Sequence, residues 1–281
     1  MGDGPLRATL AHPQGLAGAL LLGLVAALAL AAPLLAPGDP LAMAGRPLLR
    51  PFVDPALPLG TDRLGRSIAA GMLHGARTSL LTGLAVAAMA LCVGAACGAV
   101  AGYLGGAADE VLMRVADAVQ TVPSFLVAMA IVSVLGPSPG GVVLALAAGS
   151  WTATARMVRA EVMSLRSRAF VEASRLFGRP PLAIAFLVVL PNALAPPVAL
   201  AAVVVAGAIL SESALAFLGL SDPNRASWGA MIAEGRSVLR VAPHVALAPG
   251  LALFATVLGV ALLGEGLREA LARRGAGAAA A

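Results

Sequence analysis

The chain has 281 residues, of which 59% are hydrophobic and only 12% charged, with a formal net charge of +5. Soluble domains carry about 25% charged residues, so the apolar excess points to lipid rather than to an oversized core. All 19 basic residues are arginines, which removes the lysine that a P-loop sets on its phosphates and the amine that Schiff-base catalysis needs.

The arginines are scattered between apolar runs, among only two Trp, one Tyr and seven Phe. Nucleic-acid binding needs them gathered on one face with aromatics, so that class is excluded. Cys92 and Cys97 lie in one apolar run and read as small packing residues. His12, His74 and His244 are too far apart to form a ligand motif.

Residues 1–40 read as an N-terminal cytoplasmic segment and a first transmembrane helix. Leu16 to Leu35 supplies the ~20 residues that cross a hydrocarbon core. A cleaved signal peptide has a shorter apolar region of roughly 7–15 residues, so a retained helix is expected. Residues 41–76 carry Pro47, Pro51, Pro55 and Pro58, a density that no continuous helix tolerates. They read as an extracytoplasmic loop closing on Leu59-Gly-Thr-Asp-Arg-Leu-Gly-Arg66, with Ser67 to Arg77 as a short interfacial helix.

Residues 77–270 read as a core of five further spans. The second lies between Arg77 and Asp109. Its ladder Gly94-xxx-Gly98-xxx-Gly102 predicts close packing against another helix, of this chain or of a partner. Asp109, Glu110, Arg114 and Asp117 read as a short charged loop. Gly136-Pro-Ser-Pro-Gly-Gly141 is a turn signal that separates a third span near 118–135 from a fourth near 142–158. The fifth span runs between Arg179 and Glu212, with Pro191, Pro196 and Pro197 accommodated as membrane helices allow. Residues 211–240 are a mixed extramembrane region, and the sixth span lies between Arg240 and Glu265. Residues 271–281 form a low-complexity tail.

Six spans put both termini on one side of the membrane. The six arginines from Arg156 to Arg179 assign that side to the cytoplasm by the positive-inside rule. The expected fold is therefore an all-α membrane protein of six transmembrane helices with cytoplasmic termini.

The basic stretch has its own pattern. Val162, Leu165, Ala169/Phe170, Ala173 and Leu176/Phe177 recur every three or four residues, an amphipathic stripe on a helix over 159–179. Gly178 stands where a C-cap glycine stands, and Pro180 and Pro181 stop the helix. Periodicity alone leaves two partners open for the apolar face: the membrane surface or another protein. Two more residues stand out. Glu212 closes a long uncharged run, where an ionisable group is either a pathway residue or an interfacial one that water or an arginine satisfies. Gln120 opens the third span and reads as an interhelical hydrogen-bonder rather than a substrate ligand. Asp62, Arg63 and Arg66 either dock a partner or organise their own loop.

Glu172-Ala-Ser174, three residues, Gly178, nine residues, then Val188-Val-Leu190-Pro191 resembles the EAA loop of ABC-importer permease subunits. Ser174 replaces an alanine of that pattern and Val188 an isoleucine. Residues 59–66, Gly75-Ala-Arg-Thr-Ser-Leu80, Glu212-Ser-Ala-Leu-Ala-Phe-Leu-Gly-Leu220 and Ser227-Trp-Gly-Ala-Met231 resemble the dipeptide/oligopeptide/nickel group, in its C-type subunit. The resemblance implies ATPase-coupling roles for Glu172, Ala173, Ser174, Gly178, Leu190 and Pro191. It implies a second homologous permease, two ATPase subunits that bind ATP and magnesium, and an extracytoplasmic substrate-binding protein. It implies no cofactor and no catalysis in this chain, and a place in the bacterial inner membrane. A stand-alone secondary transporter or channel is the alternative; it predicts midplane charges and internal repeats, and neither is evident. A membrane hydrolase would need paired aspartates or a nucleophile elbow within the spans. Dipeptides, oligopeptides, nickel chelates and glutathione-like peptides all remain open as substrates.

Overall fold

A computed structural model describes residues 5–279 of the chain, with side chains over residues 7–271. The end of the low-complexity tail and the side chains of Arg273 and Arg274 lie outside the described residues. Among those residues the regular structure is helical, and pairing is confined to two isolated bridges, Met43 with Arg66 and Thr61 with Ser67. Five helices are long and apolar enough to cross a membrane: α2 (Pro13–Leu35), α3 (Ile68–Leu104), α6 (Pro139–Leu165), α10 (Ala195–Phe217) and α12 (His244–Ala279). A short helix, α1 (Pro5–Ala11), precedes them. The helices α4 (Gly106–Thr121) and α5 (Ser124–Leu135) meet at 85° and reach the length and apolarity of a sixth span only when taken together.

The bent pair corrects the expected loop at 109–117. Its charges lie on α4, where Glu110 and Arg114 pair one turn apart at 2.7 Å, a spacing that supports a helix. The bend falls at Val122-Pro123. Proline has no N–H to continue the ladder and holds its predecessor extended; Val122 has φ −97° and ψ 133°.

The longest span also begins earlier than expected. Ser67 caps α3 by accepting from the Ala70 N–H at 3.3 Å. The helix then runs unbroken for 37 residues, about 55 Å at 1.5 Å per residue, so no separate interfacial helix forms at 67–77. The glycine ladder meets α6 of this same chain. A Cβ on Gly94 would lie 2.7 Å from the Trp151 carbonyl oxygen, on Gly98 2.5 Å from that of Ala155, and on Gly102 2.7 Å from that of Arg159. The absent side chains bring the two backbones together, and dispersion across that contact holds them in lipid.

Near the end of the ladder, Arg159 of α6 grips Asp109 of α4 with two hydrogen bonds, at 2.5 and 2.6 Å. Helix α6 starts on the Gly136–Gly141 turn, where Ser138 accepts from the Gly141 N–H at 3.1 Å. It extends past the expected end at 158 and carries Arg156 and Arg159 within it.

The expected single helix over 159–179 is two helices. Helix α6 ends at Leu165, and α7 (Ala169–Leu176) follows after Arg166, Ser167 and Arg168. Arg168 is extended, with φ −77° and ψ 150°. The break is held from outside: Arg166 donates to the Gly102 carbonyl at 3.3 Å, and Arg175 donates to the Arg166 carbonyl at 3.4 Å.

The fifth span is likewise divided. Residues 181–193 form a short apolar helix: α8 (Pro181–Ile184), a π-helical turn (Ala185–Val189) and α9 (Leu190–Ala193). Then α10 restarts at Ala195, because Pro196 and Pro197 fit only a first turn. Helix α11 (Trp228–Arg236) lies between α10 and α12. The bundle thus has two ends. Residues 37–67, the start of α3 and α11 occupy one; α7 and the end of α3 occupy the other.

Candidate functional site

Helix α7 is anchored by one apolar side chain. Val171 is fully buried in a cluster with Tyr103 of α3, Val158 and Val162 of α6, and Ile184, Ala185 and Val189 beyond it. The break at 166–168 turns the rest of its apolar surface outward. Phe170 is 42% exposed, Leu176 89% and Phe177 85%, so the stripe that begins at Val162 does not stay buried through α7. Fully burying one such side chain is worth roughly 1.5–3 kcal/mol, which leaves α7 with a strong drive toward a partner surface.

The EAA-type residues sit on that outward helix and just beyond it. Glu172 is exposed in the first turn, where a carboxylate complements the helix dipole. Ala173 is exposed and Ser174 is half-buried; the Ser174 hydroxyl donates to the Phe170 carbonyl at 2.9 Å. Gly178 closes the helix at φ +72°. The Gly178 N–H reaches the Arg175 carbonyl at 2.9 Å and the Arg179 N–H that of Ser174 at 3.3 Å, the bond pair of a Schellman cap. Leu190 packs against the same apolar cluster as Val171, while Pro191 is exposed on α9.

Sequence reasoning missed Val171, Tyr103 and Arg175. The Arg175 Nε donates to the Tyr103 hydroxyl at 3.1 Å, with the guanidinium 5.4 Å from the ring centroid. One signal was available: Tyr103 is the chain's single tyrosine, next to the last glycine of the ladder.

Glu212 lies toward the opposite end of the bundle. It is 4% exposed and is met by hydroxyls. Ser79 of α3 donates to it at 3.3 Å and Ser213 at 3.4 Å; the Ser227 hydroxyl also faces it. Trp228 seals this corner by donating to the Met72 carbonyl at 3.0 Å. Its indole lies over Gly75, where a Cβ would come within 2.9 Å of the ring.

Gln120 donates to Thr152 of α6 at 2.8 Å. The pair borders a cavity of about 480 Å³ between the α4–α5 bend, α6 and α10, with Ser124, Ser150 and Ser211 on its wall. Gln120 and Glu212 are not brought together.

At the Glu212 end, Asp62 accepts from the Leu64 and Arg66 N–H groups at 2.8 Å each. Arg66 pairs with Glu234 of α11 at 3.5 Å, and Arg63 donates to Ser237 at 2.9 Å. These three residues fold their loop and tie it to α11. Burial pushes the Glu234 carboxyl above the usual carboxylate range; the Asp62 carboxylate adds to this and Arg66 opposes it.

A bundle of long apolar helices, with an amphipathic helix turned to solvent and an open cavity where Gln120, Thr152 and three serines interrupt an apolar wall, fits a membrane transport permease. The chain belongs to the family of binding-protein-dependent transport system inner membrane components, which it matches over residues 94–276. It is 40% identical over 268 residues to the di/tripeptide transport system permease protein of Pseudomonas aeruginosa, covering 93% of this chain and 88% of that one. A probable peptide ABC transporter permease of Sinorhizobium fredii is 41% identical over 261 residues, covering 92% and 88%. The glutathione transport system permease protein of Pectobacterium atrosepticum is 39% identical over 214 residues, covering 76% and 71%. The permease family expected from the sequence is borne out, and the chain is an inner-membrane protein.

Proposed function

We propose that the chain is the translocation subunit of an ATP-driven importer for short peptides, with α7 as the helix through which a separate ATPase moves it. The carrying observation is α7 itself: pinned at Val171, capped at Gly178 and turning Phe170, Leu176 and Phe177 outward. A protein groove satisfies that surface better than headgroups do, because Glu172 and Ala173 are presented on the same exposed helix. The arginines of 156–179 support a cytoplasmic position for α7 and both termini. The relatives named for di/tripeptides and peptides support peptides as cargo.

The mechanism follows from this placement. ATP and magnesium bind two ATPase subunits, a second permease completes the pathway, and a binding protein delivers cargo at the α11 end. Closure of the ATPases displaces α7. The packed α3–α6 pair is stiff, so the displacement becomes a rigid-body rotation between two states rather than a local flexing. Gln120, Thr152 and the serines of the adjoining cavity offer neutral hydrogen-bonding groups to a passing peptide, and such groups bind weakly enough to release it.

Uptake into vesicles tests this reading. The chain is reconstituted with its second permease, its ATPases and its binding protein, and radiolabelled dialanine is supplied on the binding-protein side. Accumulation is expected only with ATP on the ATPase side. Uptake by this chain alone, driven by an ion gradient, would contradict it.

A further inference from the structure

Helix α7 is joined to the body of the protein at two places. Val171 is the apolar one. The polar one is Arg175, the basic residue of the last turn. Its Nε donates to the Tyr103 hydroxyl, its guanidinium lies against the tyrosine ring, and its Nη2 donates to the Arg166 carbonyl at the end of α6. Tyr103 is 8% exposed and stands one residue before the end of α3. Its ring is held between the glycine-packed α3–α6 pair on one side and α7 on the other.

The geometry matters because of what lies at the far end of α3. The same unbroken helix carries Ser79, which donates to Glu212, and Gly75, on which Trp228 of α11 rests. One rigid rod therefore spans the bundle from Arg175 to the α10–α11 corner. Val171 provides contact but no direction, since dispersion is non-directional. The guanidinium–phenol contact has direction: its hydrogen bond fixes an angle and its stacking fixes a distance.

We propose that Tyr103 and Arg175 are positioning residues that transmit the displacement of α7 to α3, and so couple ATP hydrolysis to movement at the Glu212–Trp228 corner. This rests on the reading of α7 as the ATPase-docking helix. Neither residue touches the ATPase in this account. Their loss therefore weakens coupling without weakening docking.

The test uses the complete importer in nanodiscs, with its binding protein loaded from a casein peptide digest. Tyr103→Phe keeps the ring and removes the acceptor. Arg175→Lys keeps the charge and removes the planar fork, a change that is not conservative at a stacked site. Tyr103→Leu and Arg175→Gln remove both elements.

ATPase subunits are expected to co-purify with every variant, and basal hydrolysis is expected to stay near wild type. Stimulation by the loaded binding protein is expected to fall about fivefold in Tyr103→Leu and Arg175→Gln, within the range that coupling residues show. Tyr103→Phe and Arg175→Lys should fall between these and wild type. The double variant should be no worse than either single one, because the two residues act as a unit.

Unchanged stimulation in all four variants would overturn the proposal. So would single losses that add in the double variant, or basal and stimulated rates that fall in parallel. Failure of the wild-type chain to retain ATPase subunits would instead remove the docking reading beneath it. Tyr103→Phe differs by one oxygen atom, so the proposal stays falsifiable if the larger changes impair folding.

Discussion

Replacing Gly178 by arginine is expected to abolish transport while leaving the amount of protein in the membrane unchanged. The residue sits at φ +72°, where an L side chain costs roughly 1–2 kcal/mol. Nothing lies within 4 Å of the position a Cβ would occupy, so the new side chain starts into open space. The damage falls on the cap and on whatever surface α7 meets. Gly178→Ala separates the two effects: it carries the backbone strain without the bulk, and is expected to lose only part of the activity. Glu172→Lys is expected to behave like Gly178→Arg, because it sets a cation at a helix N-terminus on the exposed face. Uptake assays paired with quantitative immunoblots of the membrane fraction separate transport from accumulation. Loss of the protein itself in Gly178→Arg would mean that α7 holds the fold together rather than serving a partner.

The second large effect is expected at Gly98, and it is a folding effect. A Cβ there would lie 2.5 Å from the Ala155 carbonyl oxygen, 2.7 Å from the Val158 Cβ and 3.0 Å from the Arg159 nitrogen. Two of these neighbours are backbone atoms, which cannot swing aside. Gly98→Leu must push α3 and α6 apart, and overpacking of this kind costs about 1–3 kcal/mol or more. Separation also strains the Arg159–Asp109 pair beside the ladder. Folded protein recovered as a monodisperse peak from detergent is expected to drop severalfold, with protease sensitivity rising in step. Gly23→Leu is the control: its Cβ position is open, and it should change neither readout.

Much of this was legible in the residues. The apolar runs located the long helices, because a span's length and composition are dictated by lipid alone. The glycine ladder announced a close packing, though only tertiary structure revealed α6 as its partner. Gly178 and the prolines at 180 and 181 marked the end of α7 correctly, because caps are local chemistry.

Local chemistry did not reveal the break between α6 and α7. Arg166-Ser-Arg168 contains neither glycine nor proline. It interrupts the helix because the Gly102 carbonyl and Arg175 offer hydrogen bonds that no local rule can see. The stripe from Val162 to Phe177 therefore looked like one continuous apolar face, when the break leaves Val162 buried and turns Leu176 and Phe177 outward. Residues 109–117 looked like a loop because their charges were counted rather than spaced. Glu212 was legible as a residue of interest, but its hydroxyl surroundings come from three separate segments of the chain.

The central claim is that α7 lies against an ATPase, and cross-linking from Phe177, the exposed aromatic residue at its C-cap, tests it directly. With Phe177→benzoylphenylalanine in the assembled importer, ultraviolet light is expected to join this chain to an ATPase subunit. The yield should change when the ATPases are closed with ATP and vanadate. The same probe at Leu34, which is 85% exposed on α2, should give no such product. Cross-links from position 177 to lipid alone, in a complex that still contains its ATPases, would contradict the account.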